Sequence, residues 1–482
     1  MQEKSTIAAA RSMIKDNPQS RLIRSDSNTD NICQTETIDH GEIKDRYDVE
    51  RQKTLEGDAH FHRLGWKHLT VVLIVNAVAL GSLGIPSAFA SLGMVAGIIL
   101  CLALGLIAIY TSYVLGMVVL KYPQVCHYAD VGRLLLGQIG YGIFSTAFSM
   151  QLVLLVGSHC LTGKIAFATI TESGICSILW SIISGIILLL LAIPPSFTDL
   201  AILGYIDFAS ILLAILLTMI STATVGHQSN SERIASGSVS TWSAWPKENL
   251  TFSEAIVAVN NIVFAYSFAA AQPSFMAEMH TPSDYTKSIW TLGMAEILIY
   301  TLTGALIYAF VGQQVQSPAL LSAGPLWSRI VFGVALPVIF ISGSINTTVV
   351  CRFIHGNIYR DSIVRYINTR KGWLTWLGLV SISTLVAWVI AEVIPFFPQL
   401  LSISSSLFVS GFSFYLPPIM WFALLKEGHW YSGQNIKAAI CNGVACLVGL
   451  IILGCGTYAS IKSLISEFHS GSVGTPFTCS SE

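Results

Sequence analysis

Long apolar windows recur along this chain after its first 66 residues, and they constrain the fold more than any other feature. A helix needs about 20 apolar residues to cross a hydrocarbon layer ~30 Å thick. Only 11% of the residues are charged, against roughly a quarter in soluble domains. This composition therefore disfavours a soluble protein of this size and favours a membrane protein. We predict eleven membrane spans, at about 67–90, 92–119, 140–164, 177–193, 200–224, 253–277, 288–312, 327–350, 373–393, 396–424 and 438–462.

The spans are predicted to be helices rather than strands of a barrel. Barrel strands alternate apolar and polar residues over about ten positions. Stretches such as IILLLLAIP, residues 186–194, do not alternate. The predicted fold class is therefore all-α, in the form of a polytopic membrane protein.

The polar ends of the chain differ in character from the membrane domain, which we place at residues 67–463. Residues 1–66 carry both signs of charge and few large apolar side chains, a composition typical of a disordered tail. Ten Lys and Arg residues of the loops lie on the side of this tail and five on the other, so the tail is predicted to be cytoplasmic. Residues 464–482 then form a short outer tail. Ser, Thr and Lys residues of the first tail are candidate sites for regulatory partners, although a solvated leader has the same composition.

The cysteines and short motifs give no sign of catalysis. The chain has ten cysteines, but no CxxC, HExxH, GxSxG or GxxxxGK[ST] motif. Cys176 and Cys479 share the predicted outer side, which makes them a candidate disulfide pair. We expect no enzyme activity, no metal or other cofactor and no nucleic acid partner, and we expect the lipid bilayer as the surroundings.

Two of the spans contain helix breakers at matching places. Residues 76–90, NAVALGSLGIPSAFA, contain two glycines and Pro86, and residues 259–279, VNNIVFAYSFAAAQPSFMAEM, contain Gln272 and Pro273. Broken backbone is tolerated in a bilayer where it lines a polar cavity. Spans 1 and 6 lie five spans apart, as in transporters built from two inverted repeats of five helices. We therefore predict a five-plus-five inverted repeat with broken helices 1 and 6; the alternative is a simple proline kink at each place.

The same residues resemble a known family. NAVALGSLGIP together with MAEMHTPSDYTKSIW, residues 276–290, is similar to the amino acid/auxin permeases of the amino acid, polyamine and organocation superfamily, which have the leucine-transporter fold. VLLVGSHCLTG (153–163) and DLAILGYIDFAS (199–210) most resemble fungal neutral amino acid permeases. The resemblance covers residues 60–463 or so.

This resemblance implies a binding site for an amino acid zwitterion. Backbone N–H groups where helix 1 restarts would hold the carboxylate, at Leu80, Gly81, Ser82, Leu83 and Gly84. Carbonyls freed in helix 6 would hold the ammonium, at Phe264, Ala265, Tyr266 and Ser267. The substrate side chain would lie among Tyr266, Phe268, Gln151, Leu154, Ser158 and Ile341. A pocket without a buried counter-charge favours neutral substrates.

The sequence leaves two candidates for the coupling ion, sodium and a proton. In sodium-coupled relatives, helices 1 and 8 supply the oxygen ligands, and the matching positions are Val75, Asn76, Val78, Ser342, Ser344, Asn346 and Thr347. Such residues also make ordinary interhelical hydrogen bonds. The fungal resemblance implies proton symport instead, with Glu296, Asp207 and His159 as candidate proton-binding groups. Each of these three could alternatively serve only to satisfy a neighbouring group.

The resulting prediction is a secondary transporter of the plasma membrane that imports neutral L-amino acids with protons by alternating access. A vacuolar exporter of the same family and a nontransporting amino acid sensor are the alternatives. A channel is disfavoured, since rings of charge and repeated pore loops are missing.

Overall fold

The computed structural model describes most of the predicted membrane domain. The residues it describes are 65–172, 175–195, 197–235, 242–360, 362, 364, 367, 369–470, 477 and 479, without the side chains of 68, 72, 76, 79, 80, 197–203, 225–235 and 470. The predicted tail of residues 1–66 therefore lies outside this part of the chain, except for its last two residues.

The described residues form helices and no strands, which confirms the all-α prediction. Nine elements are single helices: α1 Trp66–Leu92, α2 Met94–Lys121, α3 Tyr128–Thr171, α4 Ser177–Leu191, α5 Phe197–Ala235, α7 Tyr285–Val311, α8 Pro325–Ile358, α9 Arg370–Val393 and α11 Ile436–Ser470. Of these, α3 is kinked at Gly137, whose φ of 65° is not helical. Two elements are composite. α6 consists of Phe252–Ala265, the 3₁₀ turn Ser267–Ala270 and the short helix Gln272–Met276, and α10 consists of Phe397–Ser404, Ser405–Tyr415, Leu416–Met420 and Trp421–Leu425.

Among the described residues, eight helices are long and apolar enough to cross a membrane, and α4 and the first part of α6 are shorter apolar helices. The chain is thus a multi-pass membrane protein, while the total of eleven crossings stays a prediction. Large apolar side chains such as Ile99, Leu374 and Leu447 are more than half exposed on the outside of the bundle, as expected of a surface that faces lipid.

Eight of the helices pack as two groups of four, and α5 and α10 lie against helices of both groups. α1, α2, α6 and α7 pack on one another, and α3, α4, α8 and α9 form the second group. α5 lies against α1, α7 and α8, whereas α10 lies against α3, α6 and α11. Predicted functional residues lie on α1, α3, α5, α6, α7 and α8. Among these helices, α1 packs against α5, α6, α7 and α8, and α3 packs against α8.

The first predicted break is wrong in this structure, because α1 is one continuous helix with Pro86 inside it. Gly81 and Gly84 have no left-handed backbone. A Cβ atom at Gly81 would lie 2.9 Å from the Cα atom of Ala265, which is closer than atoms can pack. Glycine at this position therefore permits close approach of α6, rather than a turn of the chain.

The second predicted break is confirmed. The first part of α6 ends at Ala265, and Tyr266 leaves the helical region with φ −97° and ψ 38° before the 3₁₀ turn begins. Proline lacks an N–H group, so Pro273 suits the first turn of the short helix that follows. The backbone of α6 is interrupted where the helix is buried.

Two further features tie the ends of helices together. The candidate disulfide is present, between Cys176 at the start of α4 and Cys479 near the end of the chain. Phe477 makes an edge contact with Trp388 of α9, with ring centroids 5.9 Å apart. These contacts fasten the C-terminal segment to α4 and α9.

Candidate functional site

The break in α6 is held by hydroxyl groups from two neighbouring helices. Tyr300 of α7 donates its Oη–H to the carbonyl of Ala265 at 3.0 Å. Ser413 of α10 donates its Oγ–H to the carbonyl of Tyr266, also at 3.0 Å. Backbone carbonyls that the interrupted helix leaves free are thereby satisfied inside the bundle, as burial requires.

These contacts bear on the predicted substrate ligands. A carbonyl oxygen has two lone pairs, so Ala265 and Tyr266 can each accept a second hydrogen bond from an ammonium group. The N–H groups of Ser82, Leu83 and Gly84 lie inside a continuous helix, where such groups bond to the carbonyl four residues earlier. In the conformation described, α1 therefore does not offer the row of free N–H groups that the sequence predicts.

Tyr266 is fixed by both of its ends. Its Oη–H donates to the carbonyl of Cys101 on α2 at 2.8 Å, and its ring meets that of Tyr300 edge to face at 5.4 Å. Both tyrosine side chains are fully buried. The residue at the break is thus positioned by α2, α7 and α10 together.

Gln151 of α3 is the predicted pocket residue with free hydrogen-bonding capacity. It is fully buried, and neither its amide oxygen nor its amide nitrogen has a hydrogen-bond partner in the described residues. One turn earlier, Phe148 contacts the ring of Phe412, which precedes Ser413. Gln151 therefore lies about one helical turn from Phe148, which contacts α10 next to Ser413, the residue that hydrogen-bonds to the α6 break. A buried unpaired amide is costly, and a polar ligand would satisfy it.

The other predicted pocket residues are buried too, except that Ser267 is partly exposed. The hydroxyl of Ser158 donates to the carbonyl of Leu154 within α3. Ser158 therefore offers the pocket a small side chain, and its hydroxyl proton is already engaged. Leu80 has no described side chain. The remaining buried positions are Gly81, Ser82, Leu83, Gly84, Phe264, Phe268 and Ile341.

Three predicted coupling residues come together where α1, α5 and α8 meet. The hydroxyl of Ser342 lies 3.0 Å from Oδ2 of Asp207 and 3.2 Å from the carbonyl oxygen of Val75. Asp207 is fully buried, and its Oδ1 has no partner in the described part of the chain. This cluster joins a carboxyl group to the backbone of α1 through one hydroxyl.

The remaining predicted coupling residues near this cluster are engaged within helices. Asn346 donates its amide to the carbonyl of Ser342, and Thr347 and Ser344 donate to carbonyls of their own helix, α8. Val78 contributes its carbonyl to the hydroxyl of Ser82. The side chain of Asn76 lies outside the described residues. Within the described part, the structure therefore collects Val75, Ser342 and Asp207, and leaves the others as helix-internal contacts.

Glu296 and His159 lie apart from that cluster. Glu296 is fully buried on α7, one turn before Tyr300, and neither of its carboxyl oxygens has a hydrogen-bond partner among the described residues. His159 is buried on α3 against Gly343 of α8. Lys164, which follows His159 on α3, pairs instead with Glu392 of α9 at 3.0 Å.

Tyr300 and Ser413 were not among the residues predicted from the sequence. Tyr300 follows Glu296 at helical spacing, so the polar face of span 7 is a signal that could have found it. Ser413 ends a serine-rich stretch, SISSSLFVSGFS, residues 402–413. No spacing rule on the sequence indicates that these hydroxyls reach the α6 break, because the helices that carry them are far apart in the chain.

An all-helical membrane bundle whose interrupted helix lies beside buried hydroxyl, amide and carboxyl groups has the construction of a secondary transporter. The model of the transmembrane amino acid transporter protein family matches residues 62–462, and the chain belongs to this family. It is thus an amino acid transporter, with a role in transport rather than catalysis.

The chain is similar in sequence to two fungal proteins and in fold to a manganese transporter. The chain is 53% identical over 467 residues to the N amino acid transport system protein of Neurospora crassa, covering 96% of this chain and 97% of that protein. It is 26% identical over 434 residues to a transmembrane transporter of Gibberella moniliformis, covering 89% and 90% of the two chains. Its fold is similar to that of the Eremococcus coleocola manganese transporter, with a TM-score of 0.51, 14% identity and coverage of 85% and 88%.

Proposed function

We propose that the protein imports neutral amino acids together with protons, and that Asp207 is the group that carries the proton. The observation behind this proposal is the cluster of Asp207, Ser342 and the Val75 carbonyl. Nothing in it requires a resident cofactor, and sodium is the competing coupling ion.

The cluster contains a hydrogen-bond switch. A serine hydroxyl has one proton to donate, so Ser342 can bond either to ionised Asp207 or to the carbonyl of Val75, but not fully to both. Once Asp207 is protonated, its O–H can donate to Ser342 Oγ, and the hydroxyl of Ser342 is then free to donate to Val75. Protonation thereby completes a chain of hydrogen bonds from α5 through α8 to α1.

This chain gives proton binding a mechanical consequence. A charged carboxylate in the bilayer interior is costly, so proton uptake and the closing of the chain favour each other. The link joins α1 of the first helix group to α8 of the second. We propose that it holds these groups in one arrangement while substrate and proton are both bound, and that α1 and α6 rock when both have left. The proposed framework is the five-plus-five inverted repeat.

The substrate class follows from the groups around the α6 break. Carbonyls of Ala265 and Tyr266 suit an ammonium group, and the amide of Gln151 suits an uncharged polar or zwitterionic ligand. These groups are uncharged and supply no countercharge for an ionised substrate side chain. The proposal takes the nearby buried carboxyl group of Glu296, one turn before Tyr300, to be protonated. The Neurospora crassa relative is an amino acid transport system protein, which supports amino acids as the substrate.

The test is uptake of a labelled neutral amino acid with external pH and sodium varied independently. We expect uptake to rise at acid pH without sodium, and Asp207→Asn, which cannot lose a proton, to abolish this pH dependence while amino acid exchange continues. A strict sodium requirement, or an unchanged pH profile in the variant, would contradict proton coupling through Asp207.

The proposed location is the plasma membrane, with the N-terminus inside and the C-terminus outside. The disulfide between Cys176 and Cys479 supports an oxidising compartment for both residues. Microscopy of the tagged protein tests the membrane, and its appearance on vacuoles would favour the exporter.

A further inference from the structure

The motif that leaves span 6 contains a buried acidic residue, Glu278, that forms an ion pair with Arg352 of α8. The side chain of Glu278 is 9% exposed and that of Arg352 is 18% exposed. Glu278 lies two residues after the end of the short helix of α6, in the first helix group, whereas α8 belongs to the second group. The pair therefore bridges the two groups that would move relative to each other during transport.

Neighbouring contacts bridge the same boundary. His127, at the start of α3, lies with Nδ1 at 2.8 Å from the hydroxyl of Ser274 in the short helix of α6. The ring of His127 also meets Phe353 of α8 edge to face at 5.1 Å. Phe353 directly follows Arg352 and contacts Phe148 of α3 at 5.2 Å. Charged, polar and aromatic contacts thus close one end of the space between α3, α6 and α8.

This closed end is the cytoplasmic one in the proposed topology. The short helix of α6 is also bonded to the C-terminal half of α2, where Gln272 donates to the carbonyl of Ser112 at 3.0 Å. α2 ends at Lys121, among the residues that the distribution of Lys and Arg places inside. The closed end and the proposed coupling cluster lie at different levels of α8, since Ser342 and Arg352 are ten residues, about 15 Å, apart.

We infer that Glu278 and Arg352 form the inner gate of the transport cycle: their ion pair keeps the cytoplasmic end shut and must break each time substrate is released. This inference rests on the proposed alternating access. We treat both residues as positioning residues, because their ion pair holds α6 against α8. A buried ion pair suits a gate. While the cytoplasmic end is closed, the two charges are shielded from water and attract each other strongly. Once this end opens, water hydrates both charges and offsets the loss of their attraction.

The chain supplies a matched control in the same motif. Asp284 and Lys287 form an ion pair at 2.8 Å, but their side chains are 32% and 60% exposed and both lie within one segment. An exposed pair of this kind contributes little. Breaking it should leave the gate unchanged.

The experiment measures access to the gate from each side. Ser274→Cys places a thiol on the buried face of α6, in the full-length protein with Cys33, Cys126, Cys441, Cys446 and Cys455 replaced by serine. A membrane-impermeant maleimide is applied to right-side-out and to inverted vesicles, and the labelling rate is compared after adding Glu278→Gln, Asp284→Asn, or the exchange Glu278→Arg with Arg352→Glu. Uptake of labelled amino acid and the amount of protein at the surface are measured in parallel.

We expect Glu278→Gln to raise the labelling rate from the cytoplasmic side about tenfold. This increase corresponds to a tenfold larger fraction of molecules whose cytoplasmic end is open. Asp284→Asn should match the parent. The charge exchange should return labelling toward the parent rate, which loss of structure alone could not do.

Equal labelling in Glu278→Gln and the parent, with normal surface amounts, would overturn the gate. Faster labelling only from the outer side would overturn it as well. If the parent protein shows no uptake but Glu278→Gln still increases labelling, the proposed function fails while the gate stands. If Glu278→Gln does not reach the membrane, Arg352→Lys, which keeps the charge but not the planar fork, provides the same comparison with a smaller expected increase.

Discussion

The contact of Gly81 with the α6 break gives the sharpest prediction about transport. A Cβ atom at this position would lie 2.9 Å from the Cα atom of Ala265, 3.0 Å from its Cβ atom and 3.1 Å from Oη of Tyr300. The first distance is 0.5 Å short of the 3.4 Å at which ordinary contact begins. Its partner is backbone, so no side-chain rotation can relieve the clash. The substitution Gly81→Ala must therefore push α1 away from α6.

The expected size follows from two opposing effects. Alanine in place of glycine favours the helix by about 1 kcal/mol. Overpacking a buried contact costs about 1–3 kcal/mol, and here the displaced atoms belong to the proposed substrate site. Because 1.4 kcal/mol corresponds to a factor of ten, we expect Gly81→Ala to lower uptake roughly tenfold and Gly81→Val to abolish it, with surface expression retained in both.

Gly84→Ala is the matched control, because it makes the same chemical change in the same helix. There the nearest atom is the end of the flexible Leu401 side chain at 3.2 Å, and the next neighbours lie at 3.9 Å and beyond. We expect uptake within about twofold of the parent, since this side chain can move aside. Uptake of a labelled neutral amino acid is measured at matched surface amounts. Parent-like uptake by Gly81→Ala, or equal losses at Gly81 and Gly84, would refute the close-approach argument.

Two further predictions concern the residues that fasten the site and the chain end. Tyr300→Phe removes the hydrogen bond to the Ala265 carbonyl and keeps the ring, so we expect a loss of about 1 kcal/mol and uptake reduced roughly fivefold; unchanged uptake would show that the hydroxyl does not position the break. Cys176 and Cys479 should resist a thiol reagent applied to intact cells until a reductant is added, and labelling of either residue without reductant would contradict the disulfide.

The sequence by itself determined the class of this protein. Apolar windows of helical length require crossing helices because no other backbone, apart from a closed barrel, satisfies its hydrogen bonds in lipid. Pro273 and its neighbours also marked the α6 break correctly, since proline cannot donate the backbone bond that would continue the helix. The amino acid permease motifs indicated the family correctly, since the family model matches residues 62–462.

Tertiary structure decided what the breakers and polar residues do. In sequence, Gly81 and Pro273 look alike as helix breakers, yet α1 continues and α6 does not, because a glycine serves equally for a turn or for close approach and only the neighbouring helix selects between them. The pairing of Asp207 with Ser342, and of Glu278 with Arg352, joins residues separated by 135 and 74 positions. No local pattern encodes such contacts, since they exist only after helices distant in the chain have packed side by side.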